Sequence, residues 1–216
     1  MSSITTEYFL ESLVVGDLQM NCYIFGCSDT RQAVIIDPGG DADFIAETVE
    51  KINATIKMIL LTHGHYDHIA GLRETKKRFN CPVLIHVADE EALTNPMVNL
   101  SALTGGNVVC EPADQILDDG DKIAVGKLQL EVIHTPGHTP GGVCFRHGKV
   151  VFGGDLLFEG GVGRTDLPGG SFEELERSIV KRMYVLPEDT VVYPGHGEPT
   201  TIGFEKKHNP FVRQST

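Results

Sequence analysis

Histidine and aspartate residues follow apolar segments at four separate places in this chain of 216 residues. They stand in the string His63-Gly64-His65-Tyr66-Asp67-His68, at His138, at Asp155 and at His196. Five of the nine histidines lie in these segments, and glycine or proline accompanies each of them. Loops at strand ends are where a rigid scaffold places reactive groups. The pattern therefore requires a fold that brings four distant strand ends to one place.

The residue types in these segments are metal ligands. Imidazole nitrogen and carboxylate oxygen suit zinc, iron or manganese. Alternate residues of an extended segment point the same way, so His63 and His65 can converge on one ion. Asp67 and His68 then begin a helix and can reach a second ion, and Asp155 could bridge both. A single histidine is more often structural than a ligand, but four motifs together favour a hydrolytic metal site, because a water between two cations becomes a nucleophile.

Short apolar runs separated by glycine predict strands with helices between them. Strands are predicted at 9–15, 20–25, 33–36, 56–61, 82–85, 127–133, 142–146, 149–152 and 190–193, with 56–61 buried on both faces. Helices are predicted at 42–52 with Asp41 as its cap, from the His63 string to Phe79, at 88–93, and from Ser171 to Met183 through a capping box with Glu174. Segment 94–107 has no clear pattern. The alternation predicts sheets covered by helices, an α/β or α+β layered domain.

Charge and composition argue against several classes of protein. The chain has 18 Lys+Arg against 30 Asp+Glu, a formal net charge of -12, whereas a nucleic-acid binder should carry a basic face. No apolar run approaches the roughly 20 residues of a membrane-spanning helix, and no cationic leader precedes Arg31. The five cysteines form no CxxC pair, which is typical of free thiols in a reducing compartment. We therefore expect a cytoplasmic protein without nucleic-acid or membrane partners.

The HxHxDH string, followed by further His, Asp and His ligands, resembles the signature of the metallo-β-lactamase superfamily. The resemblance covers nearly the whole chain and implies one αββα domain over residues 1–216, with the metal site at one edge of two packed mixed sheets. It also implies the roles of the ligands: His63, His65 and His138 for a first metal, Asp67, His68 and His196 for a second, and Asp155 as the bridge. Asp67 and Asp155 are then the catalytic residues. Two zinc ions are the expected cofactors, with iron or manganese as alternatives.

Within the superfamily, the sequence is similar to the glyoxalase II (hydroxyacylglutathione hydrolase) group and its short bacterial relatives. Asp155 stands where the commonest class of β-lactamase carries a cysteine ligand, and His65 where flavo-diiron proteins use glutamate. The tail TTIGFEKKHNPF is similar to the closing segment of glyoxalase-like proteins. The resemblance implies a hydrolase acting on a small-molecule thioester such as an S-acylglutathione, through a hydroxide held between the metals.

The substrate contacts are less well defined by the resemblance. Arg164 stands at the basic position that helps bind glutathione in the glyoxalase II group, although the family's aromatic residue two places later is Asp166 here. Lys206 and His208 are further candidates for contacts with the substrate. Full-length glyoxalase II enzymes add a helical glutathione-binding domain, and we expect it to be missing because the chain ends shortly after His196.

The main alternative is a persulfide dioxygenase of the same superfamily. Those enzymes share the Gly163-Arg164-Thr165-Asp166 string and hold one ferrous iron, for which His63, His138 and Asp155 would be the ligands. The segment YPGHGEP around His196 resembles the hydrolases and favours them. Another small ester or a lactone is a further alternative substrate, and self-association into a homo-oligomer is left open. Three other residues, His86, His134 and Asp37, are expected either to support the ligand loops or to be structural.

Overall fold

Two six-stranded sheets lie face to face in the computed structural model, which describes residues 7–213. The first sheet has the order β1 (Tyr8–Val15), β2 (Met20–Cys27), β3 (Gln32–Ile36), β4 (Thr55–Leu60), β5 (Val83–His86) and β6 (Gln115–Leu117). The second contains β7 (Lys122–Val125), β8 (Leu128–His134), β9 (Val143–His147), β10 (Val150–Gly154), β13 (Val191–Pro194) and β14 (Thr200–Thr201), in the spatial order β14-β13-β10-β9-β8-β7. A separate two-stranded ribbon consists of β11 (Leu157–Phe158) and β12 (Gly161–Val162).

Both sheets mix parallel and antiparallel neighbours. In the first, β3 to β6 are parallel to one another, whereas β1, β2 and β3 pair antiparallel. In the second, β10 and β13 are parallel and the other pairs are antiparallel. The carboxyl ends of parallel strands reach the same edge of a sheet, so β3 ends beside β4 and β10 ends beside β13.

Helices cover the outer face of each sheet. The first sheet packs against α1 (Ala42–Lys51), α2 (Tyr66–Ile69) and α3 (Leu72–Phe79). The second packs against α4 (Phe172–Ser178), the π-helical turn Ile179–Met183 that continues it, and α5 (Ile202–His208). Short 3-10 helices occupy Val87–Leu93 and Ser101–Thr104. These layers confirm the predicted α/β class, with mixed sheets flanked by helices. Within residues 7–213, no helix has the length and apolar content needed to cross a membrane.

The core between the sheets is built from alternating residues of each strand. Val34 and Ile36 of β3 face the second sheet, while Ala33 and Ile35 face the helices. Such two-sided burial is expected of strands covered on both faces. Three fully buried phenylalanines join the sheets: Phe25, Phe145 and Phe152. The ring centroids of Phe25 and Phe152 are 5.4 Å apart.

Several predicted elements differ from the structure. The strand predicted at 56–61 exposes Lys57, so β4 is buried on both faces only in its second half. The helix predicted from the His63 string to Phe79 is divided into α2 and α3. The break lies at Gly71, where a Cβ atom would be 2.8 Å from the carbonyl oxygen of Gly40. Strands β6, β7, β11, β12 and β14 have no counterpart among the predicted strands, and β14 follows the strand predicted at 190–193, which the sequence indicates as the last.

The two predicted helix caps have opposite outcomes. The Ser171 hydroxyl accepts a hydrogen bond from the Glu174 N–H at 3.3 Å, which confirms this cap. Asp41 precedes α1, but its side chain makes no capping bond. Its carboxylate accepts instead from the Gly16 N–H at 2.8 Å, and this competing contact ties the β1–β2 turn to the start of α1.

We expect Phe145→Ala to lower the free energy of unfolding by about 3–5 kcal/mol, because the buried ring fills the space between the sheets. Urea denaturation of metal-free protein measures the loss. The control is Val185→Ala, at a side chain 70 % exposed, which should change stability by no more than about 0.5 kcal/mol. A loss below about 1 kcal/mol for Phe145→Ala would contradict this account of the core.

Candidate metal centre

All four predicted segments meet at one edge of the sandwich, where strands from both sheets end. His63 and His65 follow β4, and Asp67 and His68 lie in α2. The other three ligand candidates come from the second sheet: His138 from the β8–β9 loop, Asp155 directly after β10, and His196 directly after β13. The seven side chains therefore arrive from both sheets at the seam between them.

One group of nitrogens has the spacing of ligands to a single ion. His63 Nε2 lies 3.1 Å from His65 Nδ1, which lies 2.9 Å from His138 Nε2. Two nitrogens bound at about 2.0–2.1 Å to one ion, at tetrahedral or octahedral angles, are about 2.8–3.4 Å apart. The three imidazoles are thus close to the arrangement that one metal ion requires.

A second group lies beside the first. His196 Nε2 is 3.1 Å from Asp67 Oδ2, and His68 Nε2 is 3.9 Å from the same oxygen. The Asp155 carboxylate stands between the two groups. Its Oδ1 is 3.4 Å from His68 Nε2, and its Oδ2 is 3.6 Å from His138 Nε2 and 3.8 Å from His196 Nε2. Three overlapping triplets have all their ligand atoms within 4.8 Å of one another: His63-His65-His138, His63-His68-Asp155 and Asp67-His68-His196.

Two polar atoms in the centre indicate that cations belong there. His68 Nε2 and Asp155 Oδ1 are buried and have no hydrogen-bond partner. Unsatisfied buried polar atoms are rare in proteins and call for an explanation such as an ion. Mixed imidazole and carboxylate donors in two adjacent groups suit two divalent ions of the zinc, iron or manganese type. The residues present therefore fit a pair of divalent cations.

Burial and charge divide the histidines into two electrostatic types. Burial, helped by neighbouring imidazoles, lowers the pKa of His65 to about 3 and holds the pKa of His63 well below its ordinary value. Both rings are therefore neutral near pH 7, as metal ligands must be. The pKa of His68 is raised despite its burial, because the carboxylates of Asp155, Asp37 and Asp67 surround it. The hydrogen bond to Asp67 likewise raises the pKa of His196.

Asp37, at the end of β3, orients the centre from behind. Its Oδ1 accepts from the Thr62 N–H at 2.7 Å, and its Oδ2 accepts from the Thr62 hydroxyl at 2.5 Å. The same Oδ2 lies 2.9 Å from His68 Nδ1, which directs His68 Nε2 into the site. A carboxylate behind a ligand histidine fixes its tautomer and ring orientation. Asp37 is therefore placed to position His68, which is one of the two roles that the sequence left open for it.

Sequence reasoning missed two further supports. The buried Asp89 accepts from the Gly64 N–H at 3.0 Å and from the Gly141 N–H at 2.7 Å, so it joins the loops that carry His65 and His138. Asn21 donates to the carbonyl oxygens of Pro194 and Gly197 and holds the loop of His196. Asp89 lies in an ordinary acidic segment and Asn21 in a strand, so no local signal distinguishes them.

Close packing at Gly195 also shapes the centre. A Cβ atom there would lie 2.2 Å from Asp155 Oδ1 and 2.7 Å from His68 Cε1. Any side chain at this position would displace two of the candidate ligands. The glycine in YPGHG is therefore required by the space that the ligands occupy.

His86 and His134 support a ligand loop without joining the metal ligands. Their rings stack with centroids 4.2 Å apart and an interplanar angle of 9°. His134 Nε2 lies 3.0 Å from the carbonyl oxygen of Pro140, in the loop that carries His138. These contacts hold the β8–β9 loop from outside the centre.

A cavity of about 600 Å³ opens above the candidate ligands. Arg164 lies on its wall, and its guanidinium makes two bonds of 2.8 Å to the carboxylate of Asp166, whose pKa it lowers to about 2. The backbone of Arg164 also contacts the centre, because His138 Nδ1 is 2.7 Å from its carbonyl oxygen. Lys206 and His208 lie on α5 and are not among the described residues that line this cavity, so their contacts with substrate stay predictions.

Comparison with known proteins agrees with the fold and the motifs. The sequence profile described as the Metallo-beta-lactamase superfamily matches residues 15–196. Hydroxyacylglutathione hydrolase GloC of Haemophilus influenzae is 34 % identical over 218 residues, covering 96 % of this chain and 99 % of GloC. The crystal structure of the B3 metallo-beta-lactamase BLEG-1 superposes with a TM-score of 0.91 at 40 % identity, covering 94 % of this chain and 99 % of that one. The crystal structure of TTHA1623 in a di-iron-bound form superposes with a TM-score of 0.80 at 36 % sequence identity. The match covers 94 % of this chain and 100 % of TTHA1623.

We expect Asp37→Asn to weaken metal binding about 10–100-fold. The carboxylate uses one oxygen for the Thr62 N–H and the other for His68 Nδ1, whereas an amide has a single acceptor oxygen and cannot replace both. Competition with a chelator of known affinity measures the change. Asp189→Asn is the control, since this exposed aspartate pairs with Lys149 on the surface. Unchanged metal affinity in a folded Asp37→Asn protein would show that Asp37 does not position His68.

Proposed function

This chain belongs to the metallo-beta-lactamase superfamily, and we propose that it is a metal-dependent hydrolase of small-molecule thioesters such as S-acylglutathiones. The observation that carries the proposal is the convergence of two ligand groups, joined by Asp155, beneath a cavity large enough for a small thioester. Similarity to GloC over nearly the full length of both chains supports the choice of thioester. In the reaction, water adds its oxygen to the acyl carbon, the C–S bond breaks, and a carboxylic acid and a thiol are released.

Each candidate ligand has a defined role in the proposed reaction. His63, His65 and His138 would hold one ion, Asp67, His68 and His196 the other, and Asp155 would be shared. Divalent ions held there supply a Lewis acid for a carbonyl oxygen and lower the pKa of a bound water. Asp67 lines the cavity and, on this proposal, orients the attacking water and takes up its proton. The cavity walls hold the acyl carbon above Asp155.

Zinc is the ion that we propose for both groups, because nitrogen and carboxylate donors suit it. Iron or manganese would bind the same donors, and the similarity to TTHA1623 in its di-iron-bound form keeps iron as an alternative. We also propose a cytoplasmic location and a small-molecule partner rather than a nucleic acid or a membrane. Five free cysteines and the formal net charge of -12 support this part of the proposal.

Two other activities are tested beside the proposed one. Persulfide oxidation at a single iron would use His63, His138 and Asp155, of which His138 Nε2 and Asp155 Oδ2 lie 3.6 Å apart. Hydrolysis of a β-lactam is the second candidate, because the neighbour at TM-score 0.91 is a B3 metallo-beta-lactamase. A common ligand set can serve different substrates on one fold, so the assays decide between them.

We expect the protein as purified to contain about two divalent ions per chain, with zinc predominant, and to hydrolyse S-lactoylglutathione. Release of thiol measures hydrolysis, O₂ uptake with glutathione persulfide measures dioxygenase activity, and ring opening of a chromogenic cephalosporin measures lactamase activity. Asp155→Ala should lose both bound metal and thioester hydrolysis, since the shared ligand is removed, whereas Asp189→Ala should keep both. One bound iron with O₂ uptake, or ring opening without thiol release, would overturn the proposal.

Arg164→Ala should raise KM for S-lactoylglutathione about threefold to tenfold and leave kcat nearly unchanged, because the side chain would meet the charged thiol half and not the reacting carbonyl. The effect is modest because the guanidinium is exposed and already paired with Asp166. Arg182→Ala is the control, since this arginine pairs with Asp119 and does not line the cavity. An unchanged KM in Arg164→Ala would reject the contact.

A further inference from the structure

The cavity above the centre has two unlike sides. On one side, the ribbon and the segment after it contribute Phe158, Val162, Leu167 and Arg164, whose guanidinium pairs with Asp166 outside the cavity lining. On the other side, the β1–β2 turn contributes Leu18, and the segment that had no clear sequence pattern contributes Leu100 and Leu103. We call this second group the leucine side.

Contacts with Tyr66 connect the parts of the leucine side. The N–H of Tyr66 donates to the carbonyl oxygen of Asn99 at 2.9 Å, directly before Leu100. Tyr66 and Leu18 also line a smaller neighbouring pocket together. Leu18 and Leu100 therefore both lie next to Tyr66. Tyr66 precedes Asp67 in the chain and lines the same cavity.

The leucine side carries no charge, and two of its leucines are largely exposed to solvent. Leu18 is 50 % exposed and Leu103 is 62 % exposed. Apart from the candidate metal ligands, Arg164 is the sole charged side chain among the described residues that line the cavity, and it belongs to the ribbon side. Exposed apolar surface inside a ligand cavity favours an apolar group of the ligand.

The backbone that carries Leu100 is held in place by a buried side chain. Asn99 is fully buried, and its side chain donates to the carbonyl oxygens of Ala92 and Val108 and accepts from the Ser101 N–H. Leu100 has a φ of 70°, a left-handed conformation that a leucine keeps only where its surroundings impose it. A wall fixed before the substrate arrives loses little conformational freedom on binding.

We infer that the leucine side binds an apolar acyl chain, so that the preferred substrates are thioesters with straight acyl groups longer than acetyl, their polar thiol half lying toward Arg164. The inference rests on the proposed thioester hydrolysis and specifies its substrate class. Each methylene that leaves water for this side should raise kcat/KM by up to about fourfold. The increase ends when the chain outgrows the leucine side.

The first test measures kcat/KM of the zinc-loaded protein for acetyl, butyryl, hexanoyl and octanoyl thioesters of N-acetylcysteamine, a neutral thiol. We expect the value to rise along the series. Leu103→Ser should lower the ratio of octanoyl to acetyl kcat/KM at least threefold, whereas Val185→Ser, at an exposed apolar residue outside the cavity, should keep the parent ratio. A flat or falling series, or an unchanged ratio in Leu103→Ser, would overturn the inference.

The second test separates this inference from the proposed function by measuring binding without reaction. Calorimetry compares the S-octyl and S-methyl thioethers of the same thiol, which cannot be hydrolysed. We expect the S-octyl compound to bind at least tenfold more tightly, with a smaller difference in Leu103→Ser. If no thioester is cleaved but this preference is found, the proposed function fails and the apolar site stands. Equal binding of the two thioethers overturns the apolar site, whatever the hydrolysis assay gives.

Discussion

The hydrogen bonds of Asp37 are the interaction on which the rest of the centre depends. Asp37 ends β3, and through Thr62 it holds the chain that leaves the neighbouring strand β4. That chain carries His63 and His65, and the same carboxylate turns His68 toward Asp155. One buried anion thus sets the direction of three ligands, and the parallel pairing of β3 with β4 is what brings it within reach.

The sequence predicted what is local and missed what depends on distant contacts. The ligand strings could be identified because each directly follows an apolar strand, and the layered class follows from the alternation of strands and helices. Asp89 could not be found, because its partners lie 25 and 52 residues away. The wrong cap at Asp41 has the same cause, since its carboxylate bonds to Gly16 across 25 residues. The three residues of β6 are too few to show a period.

The candidate ligands and the residues of the cavity walls have different roles in the site. The similarity to GloC and to the lactamase BLEG-1 extends over nearly the whole chain, ligand strings included. A shared set of ligands defines the chemistry available at the centre, and the surrounding loops select the substrate. Around the centre of this protein lie the ribbon, followed by the charged Arg164, and the segment with the apolar Leu103. Segment 94–107, which has no clear sequence pattern, therefore lies beside the His63–His68 string, which has the strongest one.

The position of the centre at the seam between the sheets couples it mechanically to the core. His63, His65 and His68 are attached to the first sheet, whereas Asp155 and His196 are attached to the second. A small shear of one sheet over the other would change the spacing between these donors, and a metal ion tolerates only a few tenths of an ångström. Because Phe25 packs against Phe152 between the sheets, a substitution at either residue is expected to alter the metal preference of the centre while leaving every ligand in place.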